Sequence, residues 1–100
     1  MKQTSQPITG TSFNNVTVLA SLNELTKVLG KPRIVDDPDA NFRYEWRMEH
    51  ASTGDVFAVY DWDNDVTLKG TTKIKWYIGA HQATHAVDAR EKIIEKIIEL

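Results

Sequence analysis

The run from Phe42 to His50 alternates without exception between two kinds of residue. Even positions carry aromatic residues, Met or His, and every odd position carries Arg or Glu. Successive side chains of an extended strand point to opposite faces, so this run has one apolar face and one charged face. The pattern predicts a half-buried strand in a sheet that is covered on one side only.

Two helices are predicted on either side of this strand. Ser21 followed by Glu24 three residues later is the pattern of a capping box, and Gly30 is suited to end the helix that starts there. A second helix is predicted from Thr84, as its cap, to Leu100, because apolar residues recur there at helical spacing.

Three further strands are predicted from local composition. A short β-branched piece at 16–18 favours a first strand. Residues 51–54 predict a hairpin turn that leads from the alternating strand into a strand at 56–62. After a loop that begins at Asp63-Asn64-Asp65, a third clear strand is expected at 72–78, again with alternating side chains.

These elements predict a single α+β domain over residues 1–100, with residues 1–15 flexible. We expect two layers: an antiparallel meander of three to four strands, with both helices packed on one face. Each of three tryptophans in the core must find a partner for its indole N–H. Strand parity assigns these residues to the core face: Tyr44, Trp46, Met48, Ala58, Tyr60, Trp62, Ile74, Trp76 and Ile78.

The opposite face of the sheet is the candidate contact surface. Its expected ligand- or partner-binding residues are Arg43, Arg47, Phe57, Lys73, Lys75 and Tyr77. Phe57 and Val59 are expected to point outward from the middle strand, where a solvated face usually carries polar residues. A guanidinium suits phosphate or carboxylate, whereas the interleaved Glu45 and Glu49 would repel a polyanion. The face is therefore either a solvated charge surface, a dimer seam, a protein interface or a site for a small anion.

Composition excludes several classes of protein. The formal net charge of -2 argues against a broad basic surface for a nucleic-acid polymer. The absence of cysteine excludes disulfides and thiolate sites. The polar N-terminus lacks a signal-peptide core, and no apolar run approaches the about 20 residues that cross a bilayer, so a cytoplasmic protein without membrane contact is expected.

Sequence motifs for catalysis and metal binding are incomplete. The segment Asp61–Asp65 resembles the start of a calcium loop, but Val66 and Thr72 stand where that loop needs Gly and Glu. His81 and His85 have the spacing of a zinc pair without a third ligand. No nucleophile motif is present. We therefore expect no catalytic residue, no metal and no cofactor.

Several segments together resemble a group of small phage and prophage proteins. The resemblance covers roughly residues 21–100 and is carried by Leu29-Gly30-Lys31-Pro32, Glu45-Trp46, Val59-Tyr60-Asp61-Trp62 and Trp76-Tyr77-Ile78-Gly79-Ala80-His81. It implies an accessory protein that acts by binding in the cytoplasm of the infected host cell, and it carries no catalytic residues across.

The resemblance implies counter-defence in one of two ways. In the first hypothesis the chain is a homo-oligomer that sequesters a small anionic signal of nucleotide type, with phosphates at the cations and a base on Tyr77 or Phe57. In the second it is a protein-binding inhibitor that blocks a host defence protein with the same sheet face.

Overall fold

The computed structural model describes residues 1–37, 39–62 and 69–100, which form six strands and two helices. The expected loop start at Asp63-Asn64-Asp65 lies outside the described residues. In chain order the elements are β1 (Lys2–Gln3), β2 (Ser12–Ser21), α1 (Leu22–Leu29), β3 (Arg33–Ile34), β4 (Tyr44–Glu49), β5 (Val56–Tyr60), β6 (Lys73–Ala80) and α2 (Ala83–Ile98).

All strands join one antiparallel sheet in the order β1-β4-β5-β6-β2, and β3 pairs with the same edge of β4 as β1. The predicted α+β class, with an antiparallel sheet and two helices, is confirmed. The expected strand count of three to four is wrong. β1 and β3 have two residues each, too few for a periodic pattern, and they exist because the edge of β4 offers unpaired backbone groups.

Local signals placed the start of α1 and the turn between β4 and β5, but not the start of α2. The Ser21 hydroxyl accepts the Glu24 N–H at 3.1 Å and the Glu24 carboxylate accepts the Ser21 N–H at 2.9 Å, so the capping box is confirmed. The hairpin turn between β4 and β5 is also present, with Gly54 at a φ of 75°. The expected cap at Thr84 is wrong, because α2 begins at Ala83 and its capping position, Gln82, makes no side-chain bond.

The core joins the helices to one face of the sheet. Its centre is the pair Trp46 and Trp76, whose ring centroids lie 5.3 Å apart in an edge-to-face arrangement. Their indole N–H groups donate to the carbonyls of Gly30 and Ala20, each at 2.8 Å, which satisfies both buried donors. The helices contribute Leu25, Leu29, Ala86, Ala89 and Ile93 to the same cluster. No described helix combines the length and apolar character that crossing a membrane requires.

The expected faces of β5 are wrong by one residue. Phe57 and Val59 pair with Met48 and Trp46 of β4 and are 0% exposed, so they belong to the core rather than to the opposite face. β5 carries an aliphatic or aromatic side chain at every position and no charged residue, and its alternation therefore could not distinguish the two faces. The residues expected in the core from this segment lie on or beyond the opposite face: Ala58, Tyr60 and Trp62.

Candidate functional site

The face of the sheet turned away from the helices, here called the outer face, carries a row of side chains that crosses five strands. Its members are consecutive cross-strand partners from β3 to β2, and neighbouring strands lie about 4.8 Å apart. The row thus brings a cation, a carboxylate and two phenols side by side. In order across the sheet, the row is Arg33, Glu45, Tyr60, Tyr77 and Thr17.

Aromatic side chains gather around the two tyrosines of this row. The rings of Tyr60 and Tyr77 stack with centroids 6.1 Å apart. Phe13 meets Tyr77 edge-on at 5.1 Å, while Phe42 and Trp62 contact Tyr60 at 5.5 and 6.2 Å. Four of these residues line a pocket of about 330 Å³, called the aromatic pocket below: Phe13, Tyr60, Trp62 and Tyr77.

Small residues lie next to the aromatic pocket. In the neighbouring cross-strand row Ala58 and Gly79 are partners, between Arg47 on one side and Phe13 on the other. A Cβ at Gly79 would be 3.6 Å from a ring atom of Tyr60, so this ring leans over the glycine. Because Ala58 and Gly79 have little or no side chain, the neighbouring aromatic rings project further from the outer face than they do.

Burial raises the pKa of the Tyr60 phenol above its ordinary value of 10.0, and Tyr77 and Glu45 add to the effect. Tyr60 is therefore a neutral phenol at physiological pH. A neutral hydroxyl both donates and accepts hydrogen bonds, so it can interact with a bound polar group without adding a negative charge.

The carboxylates of β4 are not a solvated charge row. Glu45 is 4% exposed, and its Oε1 accepts from Arg33 Nη1 at 3.0 Å and from Arg47 Nε at 2.8 Å. Glu49 is also buried, with Lys2 and Gln6 on its two oxygens. Each carboxylate therefore has its own partners within the chain, which weakens the repulsion that the sequence implied for a bound anion.

The predicted site residues fall into three groups. Lys75 and Tyr77 share the outer face of β6, and Arg47 lies on the same face of β4. Lys73 is 3.5 Å from Glu24 at the start of α1, and Arg43 precedes β4 with its side chain exposed. Phe57 is enclosed in the core and cannot contact a ligand, because its strand has the opposite phase to the predicted one.

Sequence reasoning missed three residues of the aromatic pocket: Phe13, Tyr60 and Trp62. Phe13 stands as a lone aromatic residue among polar neighbours, and that isolation was the signal available for it. Strand parity predicts Tyr60 and Trp62 in the core, and this prediction is wrong because β5 has the opposite phase.

The residues weighed as metal ligands lie apart. Asp61 is buried, and its Oδ1 accepts the N–H groups of Arg43 and Tyr44 at 3.0 and 2.8 Å, which ties the end of β5 to the start of β4. His85 Nε2 is 3.4 Å from Asp55, while His81 lies beside Gly10. Within residues 1–37, 39–62 and 69–100 there is no cluster of three or more His, Asp or Glu that could hold a metal ion.

Comparison of the chain with protein-family models, with curated proteins and with solved structures finds no match. The resemblance to small phage proteins therefore stays a prediction. The outer face carries the aromatic pocket, with Lys75 and Arg47 on two sides of it.

Proposed function

We propose that the chain is a non-enzymatic binding protein that captures a small planar anion of nucleotide type on the outer face of its sheet. The observation that carries the proposal is the aromatic pocket of about 330 Å³, in which Phe13 and Trp62 are 40% and 47% exposed. Small-molecule pockets begin at about 300 Å³. A nucleic-acid base stacked on an aromatic side chain gains about 1–3 kcal/mol.

Cations on two sides of the pocket support an anionic ligand. Lys75 lies two residues before Tyr77 on the same face of β6, so its ammonium group is within reach of a ring stacked on that tyrosine. Arg47 flanks the other side, beyond Ala58. Glu45 is held by two guanidinium groups and contributes little net repulsion.

In the infected cell, capture of a nucleotide signal would counter a host defence that depends on it. This role rests on the resemblance to small phage proteins together with the aromatic pocket. The site would act in the host cytoplasm by lowering the concentration of the signal, which requires affinity but no chemistry.

A homo-oligomer is the second part of the proposal. β2 ends the sheet, and its ten residues include no charged side chain and no proline, two of the devices that prevent edge pairing. Its register shift lies between Phe13 and Val16, so the regular edge begins at Val16. Two copies can join antiparallel through this strand, since such a contact is self-complementary. Light scattering tests it: Leu19→Lys, at a position that is 64% exposed, should convert the oligomer to a monomer. A wild-type monomer at high concentration would contradict the oligomer.

Tryptophan fluorescence tests ligand binding directly. Trp46 and Trp76 are 1% and 0% exposed, whereas Trp62 is 47% exposed and lines the pocket. A nucleotide that enters should quench the Trp62 emission and raise the melting temperature. In Trp62→Phe the quenching should vanish while buried emission persists. A panel of cyclic and linear nucleotides that changes neither signal would rule the proposal out.

The alternative is a protein-binding inhibitor that uses the same face. Phe13, Leu19 and Trp62 expose apolar surface there, and exposed aromatic residues are frequent anchors of protein interfaces. Retention of one host defence protein by the wild type but not by Trp62→Ala, combined with no response to nucleotides, would favour this function over the first.

A further inference from the structure

A second pocket, called the edge pocket below, lies where β1 and β3 meet the outer edge of β4. Its volume is about 130 Å³, which exceeds several times the about 30 Å³ of a water molecule in the liquid. Three cationic side chains, one carboxylate and one hydroxyl are among its lining groups: Lys31, Arg33, Arg47, Glu45 and Thr4.

The charges of the edge pocket do not cancel. Arg33 and Arg47 both donate to Oε1 of Glu45, so one carboxylate orients two guanidinium groups. Lys31 adds a third positive charge to the same lining. Three cations and one carboxylate leave an excess of two positive charges. Glu45 orients the two guanidinium groups before any ligand binds, and such preorganisation favours binding.

Donors in the edge pocket remain after the internal bonds are made. Arg47 donates to Glu45 through its Nε, and Arg33 donates to Glu45 through its own Nη1. Each guanidinium therefore keeps further N–H groups on its terminal nitrogens. The Thr4 hydroxyl oxygen accepts the Gln6 N–H at 3.0 Å, and its own hydrogen can donate to a ligand. These planar forks and this hydroxyl match the oxygens of a phosphate group.

We infer that the edge pocket binds a phosphate group, as the phosphate site for the ligand of the proposed function. Glu45 is the partner of Tyr60, which is the partner of Tyr77, so the Glu45 side of the edge pocket lies two strand spacings, about 10 Å, from Tyr77. The lining residue Arg33 of β3 lies one strand spacing further out. A nucleoside diphosphate spans this distance more readily than a monophosphate. The inference rests on the proposed function for the identity of the ligand and on the edge pocket alone for phosphate binding.

Backbone-amide NMR of the full chain tests the inference with sodium phosphate as the probe and sodium chloride at equal ionic strength as the reference. Phosphate should shift the amide signals of Thr4, Lys31 and Arg33, whereas chloride should not. Lys31→Gln should weaken phosphate binding about three- to fivefold, because one cation is lost from a partly screened site while Glu45 keeps both guanidinium partners. Lys92→Gln, at an exposed position of α2, is the matched control and should bind as the wild type does.

Titrating the wild type and Tyr77→Ala with phosphate, adenosine monophosphate and adenosine diphosphate separates this inference from the proposed function. If the diphosphate shifts the amide signals of both Lys31 and Tyr77 and binds more tightly than the monophosphate, the inference and the proposed function are both supported. If phosphate shifts the amide signals of the edge pocket in Tyr77→Ala while no nucleotide quenches the Trp62 fluorescence of the wild type, the inference is kept and the aromatic site is refuted. Nucleotides that stack on Tyr77 without any response of Lys31, or phosphate no better than chloride, would overturn the inference.

Discussion

Tyr60 and Tyr77 are cross-strand partners on the outer face, and their rings stack with planes inclined by only 21°. The pair is the centre of a layer to which Phe13 and Phe42 add contacts from two other segments, and Trp62 adds one from just after β5. Four parts of the chain thus build one aromatic surface on the side of the sheet that the helices leave uncovered.

Alkaline pH should destabilise the protein through Tyr60. Burial raises the pKa of this phenol in the folded state, so the neutral form is favoured by folding. The stabilisation is present below the unfolded value of about 10 and is lost as the pH rises through the folded value. Absorbance of phenolate at 295 nm should show a late titration step that Tyr60→Phe removes. A late step that persists in Tyr60→Phe would refute the assignment.

The register of β5 with β4 and β6 predicts unequal losses of stability for substitutions of Phe57 in β5 and Tyr77 in β6. Phe57→Ala should lower the free energy of unfolding by about 3–5 kcal/mol, because the side chain is fully enclosed. Tyr77→Ala should cost less, about 1–3 kcal/mol, since it loses two aromatic contacts of about 0.5–1.5 kcal/mol each. Urea denaturation followed by circular dichroism measures both. Equal costs would contradict the observed register.

The Trp46 indole joins β4 to the end of α1. Trp46→Phe removes the 2.8 Å bond to the Gly30 carbonyl while most of the ring volume stays, so we expect a loss of about 1–3 kcal/mol. Trp46→Ala should cost about 3–5 kcal/mol by leaving a cavity. Thermal unfolding of the two variants compares the stability lost with the hydrogen bond alone to the stability lost with the whole side chain. A Trp46→Phe protein as stable as the wild type would show that the bond contributes nothing.

Glu24 should make the protein sensitive to acid. The Ser21 backbone N–H, opposed by burial and aided by Lys73, holds the pKa of this carboxyl below its ordinary value of 4.5. A depressed pKa contributes stability above the unfolded value, and that contribution is lost as the pH falls through the folded value. Between pH 6 and pH 3, Glu24→Gln should therefore lose less stability than the wild type. Parallel pH profiles of the two melting temperatures would contradict this role.

The second helix lacks the cap that the first one has. Gln82 has the extended backbone of a capping residue but makes no side-chain bond to the helix. Gln82→Asp should stabilise the protein by about 0.5–1 kcal/mol, by accepting a first-turn N–H and by favourable interaction with the helix dipole. The melting temperature measures the gain. Gln82→Ala, which supplies no acceptor, is the control and should show none.

Local interactions explain which features the sequence predicted well. The alternation around Trp46 and Met48 and the pairing of Ser21 with Glu24 each lie within a few residues, and both are present in the fold. β3 could not be predicted in this way. Arg33 and Ile34 form a strand only because the edge of β4 lies beside them, and that contact joins residues 12 positions apart for Arg33 and Glu45.

The sequence by itself determined the α+β class, the charged and apolar faces of β4 and the start of α1, because strand alternation and helix capping depend on residues only a few positions apart. Only the tertiary structure decided the phase of β5, since every one of its side chains is aliphatic or aromatic and the pairing of Phe57 with Met48 selects the buried face. With this pairing Phe57 is buried and Tyr60 lies on the outer face. The candidate site is therefore an aromatic pocket beside the charged residues rather than the row of charges itself.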